Sequence, residues 1–137
     1  MSSRTSPRTS FSQTLRQISS LFPARESTAD EARLYYRRAC LAAVEERYDV
    51  ALIFCGKALE LETTHLPTRL LVAQIHDRGL NDWEAALLAY RKVIVLAGYD
   101  SDNPYCATAK AGLDALTHKI QDSKPKIQNS AESSSQS

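Results

Sequence analysis

A block of fourteen residues occurs twice in this chain. Tyr48–Leu61, YDVALIFCGKALEL, returns thirty-five residues later as Trp83–Leu96, WEAALLAYRKVIVL. Tyr48 pairs with Trp83, Asp49 with Glu84, Ala51 with Ala86, Lys57 with Lys92, and the closing Ala58, Leu59 and Leu61 with Val93, Ile94 and Leu96. Self-similarity at a period of about 20 to 50 residues marks a stacked-repeat architecture, because one unit cannot cover its own apolar face and needs a neighbour. The block opens on an aromatic and continues as an apolar stripe at helical spacing. Ala51 and Ala58, seven apart on one face, let another backbone approach closely.

These residues resemble the tetratricopeptide repeat, a helix-turn-helix unit of about 34 residues. The resemblance rests on Ala39, Tyr48, Ala51, Ala58, Leu59 and Leu61 in a first unit and on Ala73, Trp83, Ala86, Tyr90, Ile94 and Leu96 in a second, over roughly residues 32–98. Arg38, Thr63 and the absence of Gly before Tyr48 depart from the family's usual pattern. One extra residue lies between the helices of the second unit, in the run Arg78-Gly79-Leu80-Asn81-Asp82, so the offset grows from 34 at Ala39 and Ala73 to 35 beyond it. The resemblance implies an all-α, antiparallel stack of helix hairpins. It has two repeats, about 32–65 and 66–100, and a capping helix at about 103–121.

Composition is compatible with this. The chain has 137 residues, 43% hydrophobic, enough for one small domain. A net charge of +1 gives no electrostatic footprint for nucleic acid. Four Gly and five Pro leave few turns for an all-β domain. Cys40, Cys55 and Cys106 are odd in number and lack CxxC spacing, so they read as reduced thiols and small core fillers in a cytoplasmic setting. No apolar run approaches the roughly 20 residues that span a bilayer.

Residues 1–27 form a basic Ser/Thr-rich arm holding a short amphipathic helix. Ser10 and Gln13 make a capping box, Phe11, Leu15, Ile18 and Phe22 form the apolar stripe, and Pro23 ends it. The arm carries Arg4, Arg8, Arg16 and Arg25 and no acid before Glu26. It reads as a helix covering an open end of the stack or meeting a partner, as a weak membrane-surface anchor, or as a mitochondrial or plastid transit peptide. The last makes the chain an imported accessory subunit of a larger complex.

Residues 28–121 form the helical domain. Thr28 and Glu31 are a second capping box, ahead of a helix from Ala32 to Val44 whose apolar side holds Leu34, Tyr35, Ala39, Leu41 and Ala42. A helix from about Leu66 to Arg78, with Pro67 in its first turn, carries Leu70, Leu71, Val72, Ala73 and Ile75, and Gly79 ends it. Asn81 and Glu84 cap the next helix. Asp102 or Asn103 opens the last, with Tyr105, Ala109, Gly112, Leu113 and Leu116 inward. Residues 122–137, polar and low in complexity, form a disordered tail.

No catalytic, cofactor or metal constellation emerges. His65, His76 and His118 are scattered, there is no HExxH, phosphate loop or nucleophile elbow, and His76 and Asp77 are adjacent on a helix and do not face one another. The expected function is non-enzymatic: an adaptor, scaffold or assembly factor holding a peptide or helix of a protein partner. The resemblance assigns the groove to Arg33, Tyr36, Arg37, Cys40 and Val44 of the first unit and Leu70, Leu71, Gln74, Asp77 and Arg78 of the second. It is basic at one end and apolar in the middle, suiting an acidic residue beside an apolar anchor. Tyr36 and Cys40 stand where chaperone-binding members carry Lys and Asn, so a chaperone C-terminus does not fit. Completion of the stack by a partner or a second copy is expected.

Overall fold

The computed structural model describes residues 24–124, with side chains from 28 onward. The expected arm helix at residues 10–22, the arm itself and the tail beyond 124 lie outside the described residues. Among the described residues the fold is all-α, with no strand. The helices are α1, Ala24–Val44; α2, Tyr48–Leu61; α3, Leu66–Gln74, continued by a π turn at Ile75–Gly79; α4, Trp83–Leu96; and α5, Pro104–Ser123. The chain divides into two compact units, one ending at His65 and one beginning at Leu66.

In the first unit α1 packs against α2. Ala32, Ala39 and Ala42 on α1 and Ala51, Cys55 and Ala58 on α2 are buried. Short side chains at these sites let helix backbones come close. Tyr35 stacks on Phe54 with ring centroids 6.3 Å apart, and Arg38 and Lys57 lie over its ring at 5.9 and 5.8 Å. Two expectations fail here. The helix begins not at Ala32 behind a Thr28 and Glu31 capping box but at Ala24, because Ala, Glu and Arg in that run are strong helix formers and propagate it backward. Leu41 is 67% exposed and Leu34 is also exposed, so the inward face is the narrower alanine stripe.

The second unit packs α3, α4 and α5 around Leu70, Ala73, Ala86, Tyr90, Val93, Ile94, Cys106, Ala109 and Leu116. Asp82, not Asn81, caps α4, its Oδ1 accepting from the Ala85 N–H at 3.2 Å. Asn103 caps α5, accepting from the N–H groups of Tyr105 and Cys106 at 2.9 and 3.2 Å, with Pro104 next in line. Cys106 takes the inward position expected of Tyr105, which is exposed.

The two hairpins repeat each other in detail. α2 and α4 each have fourteen residues. Each follows a residue in the left-handed region, Glu46 at φ 60° and Asn81 at φ 53°, thirty-five apart. The cap residues Arg47 and Asp82 share nearly the same backbone, φ −91° and −90°. Ala51 and Ala86, Cys55 and Tyr90, and Ala58 and Val93 are buried at matching positions.

The extra residue of the second unit does not lengthen the loop. In the first unit the Arg47 N–H reaches back to the Ala42 carbonyl at 2.8 Å, whereas in the second the Asp82 N–H reaches the His76 carbonyl at 2.8 Å, one residue further. The helix absorbs the difference by widening, and the Leu80 N–H bonds the Ile75 carbonyl at 2.9 Å across five residues. Gly79 is the last residue of this turn, as expected of the helix stop, and the left-handed position falls two residues later at Asn81.

Candidate functional site

Widening a helix by one residue rotates every side chain after it. Asp77, expected on an open groove, is only 5% exposed. Its Oδ2 accepts a hydrogen bond from the Tyr90 hydroxyl at 2.9 Å. Its Oδ1 lies 3.5 Å from the Lys119 ammonium, which compensates the charge. That is beyond hydrogen-bonding reach for an N–H donor, and Oδ1 has no hydrogen-bond partner. Lys119 also sits 5.9 Å over the Trp83 ring, so its head is shared between a carboxylate and an aromatic face.

Tyr90 fills its place only because α5 makes room. A Cβ on Gly112 would lie 2.5 Å from the Tyr90 Cζ. Burial, and then the bond and the charge of Asp77, push the Tyr90 hydroxyl up to about 12, with Arg78 pulling slightly the other way. The phenol therefore stays protonated and donating across the neutral range.

A cavity of about 320 Å3 opens beside this group, lined by residues that include Gln74, Asp77, Arg78, Tyr90, Gly112 and Lys119. In the first unit, Thr28, Ala29, Leu61, Glu62 and Thr64 line a wider depression of about 500 Å3. Its lining brings together no cluster of charged groups.

The expected groove residues are placed as follows. Arg33 and Arg37 are exposed on α1, Tyr36 and Cys40 are half-buried, and Val44 at the helix end is 83% exposed. Tyr36 meets the ring of His65 edge-on at 5.6 Å. His65 is held below its usual value chiefly by burial, with Glu62 opposing and Arg33 adding to the effect. On α3, Leu71 and Gln74 are half-buried and Arg78 is exposed. Leu70 belongs to the core and Asp77 to the buried pair with Tyr90. Both are committed to the interior of the second unit because Leu70, Ala73 and Asp77, at steps of three and four, lie on one inward stripe of the helix.

Sequence reasoning missed Tyr90, Gly112 and Lys119. The signal was present in the repeat: Tyr90 stands where the first unit has Cys55, and a large ring in a small residue's place needs a gap opposite it and a partner for its hydroxyl.

Burial, and then the neighbouring Cys40, push the Cys55 thiol up to about 12. That is the reverse of what a nucleophilic thiolate requires. Among the described residues no group of three or more His, Cys, Asp or Glu is placed to hold a metal ion, and no helix is long and apolar enough to cross a membrane. Ile53 and Leu88, thirty-five apart at equivalent positions of α2 and α4, are exposed. No family model, curated protein or solved structure matches the chain.

Proposed function

We propose that the two hairpins are consecutive repeats of the tetratricopeptide kind and that the chain is a non-enzymatic interaction module, holding a segment of a partner protein. One observation carries this reading. α2 and α4 agree at a fixed offset in length, in the left-handed residue before them, in the φ of the cap residue and in buried positions. Independent helices have no reason to agree in all four, whereas copies of one unit must.

The exposed and half-buried residues offered to a partner are Arg33, Tyr36, Arg37, Cys40 and Val44 on α1 of the first unit and Leu71, Gln74 and Arg78 on and after α3 of the second. Cations beside apolar and half-buried groups suit an acidic residue next to an apolar anchor. Two repeats offer a small interface, so affinity is about micromolar unless a partner or a second copy extends the stack. A buried, protonated Cys55 and unpaired Cys40 and Cys106 fit a reducing, cytoplasm-like setting.

The test is co-purification at native level from cells carrying the wild type or an Arg37→Glu, Leu71→Asp double variant, with helicity checked by circular dichroism. The reading expects the variant to keep its helicity and lose specific partners. Identical partner sets would remove the groove from consideration.

A further inference from the structure

The depression of about 500 Å3 in the first unit lies where the second turn of α1 meets the end of α2. Thr28, Ala29, Leu61 and Glu62 line it half-buried, and Thr64 is exposed. Glu62 is the one charged residue among the described lining residues, so the surface is largely aliphatic and methyl-bearing with a single negative group. The chain itself carries a segment of matching chemistry beside it. Residues 10–22, which lie outside the described residues, hold Phe11, Leu15, Ile18 and Phe22 at steps of four, three and four, with Arg16 as their one charged residue. Such a stripe needs an apolar surface to cover it. Phe22 stands two residues before α1 begins at Ala24, and Thr28 is only about 6 Å further along the helix axis. Pro23 disfavours a helical Phe22, so a helix over the preceding residues breaks there and can fold back toward α1 and α2. The other apolar groups of this unit suit the segment less well. Leu34 and Leu41 are exposed on α1 but stand among Arg33, Arg37 and Arg38, whereas Arg4, Arg8 and Arg16 make the arm basic. Like charges repel there, and Glu62 attracts.

We infer that the arm folds back on the first unit, with Ile18 and Phe22 seated over Ala29 and Leu61 and Arg16 paired with Glu62. The arm is then a structural part of this hairpin, covering an edge that a stacked unit otherwise presents to water, and is neither an import address nor a membrane anchor. This contact is separate from the partner surface, and either stands without the other.

The test is photocrosslinking within the full-length chain, with benzoylphenylalanine at Phe22 and the crosslinked peptides mapped by mass spectrometry. Capture of residues 61–64 of the same chain is expected, a contact that proximity in sequence cannot supply. Ile18→Asp places a charge on the apolar contact and is expected to lower the yield at least about fivefold. Arg16→Glu and Glu62→Lys are each expected to lower it about two- to fivefold, and the two together to restore it, since the pair is then reversed but intact. Ile18 and Arg16 lie outside the helical domain and Glu62 follows the end of α2, so the variants keep their helicity, which far-UV circular dichroism checks. No capture at residues 61–64, capture between two copies of the chain, or capture around Leu34 and Leu41 instead overturns the inference. A yield indifferent to Ile18→Asp, or not restored in the charge-swapped pair, overturns it as well.

Discussion

Tyr90 joins the local chemistry of the second unit to its stability. Its ring is fully enclosed, its hydroxyl is bonded to a buried carboxylate, and its outer edge touches α5 where Gly112 has no side chain. Tyr90→Phe leaves Asp77 buried with neither oxygen hydrogen-bonded, and the expected loss is about 1.5–3 kcal/mol by denaturant unfolding. Gly112→Ala would ordinarily stabilise a helix. Here the added methyl meets a ring that cannot swing away without giving up Asp77, and a net loss of about 1–3 kcal/mol is expected. A Gly112→Ala protein at least as stable as wild type would mean that the ring is not pinned.

Among the elements, the turns before α2 and α4 place a residue in the left-handed region without the residue best suited to it. Asn81 tolerates that conformation, whereas Glu46 carries a Cβ and a long side chain there at a cost. Glu46→Gly is expected to raise stability by about 1 kcal/mol in chemical denaturation, and the same change at the helical, exposed Glu60 would not. The existence and order of these helices could be read from the repeat, since the matched positions are set by a backbone period that side chains report faithfully. Which face turned inward was harder. Leu34, Leu41 and Tyr105 are apolar but exposed, because the close approach of helices selects alanine and cysteine over larger groups. The extra residue near Arg78 could be counted in the sequence, but not its absorption into the helix. A π turn differs from a longer loop by which carbonyl each N–H selects, and no side chain announces that choice. The groove expectation for Asp77 failed for a different reason: Leu70, Ala73 and Asp77, three and four residues apart, share one helical face, and that spacing alone puts Asp77 inward.

For the molecule as a whole, the two units carry different alkaline triggers. Cys55 lies in the first, raised from 9.0 to about 12, and Tyr90 in the second, raised from 10.0 to about 12. A group whose folded value is raised favours the protonated form in the native state. Its contribution is complete below the unfolded value and is lost as pH rises toward the folded one. Loss of helicity should therefore begin above about pH 9 through Cys55 and gain a second contribution above about pH 10 through Tyr90. In Cys55→Ala only the second should remain, as followed by far-UV circular dichroism. A curve unchanged by that substitution would show that the thiol is already solvated.

The proposed partner-binding role is tested most directly by photocrosslinking from single sites. Benzoylphenylalanine placed at Arg37 or Leu71 is expected to capture the same segment of one partner, while the same probe at the exposed outer positions Ile53 and Leu88 captures nothing above background. Capture from Ile53 and Leu88 without capture from Arg37 and Leu71 would contradict that role for α1 and α3 and put the partner on α2 and α4.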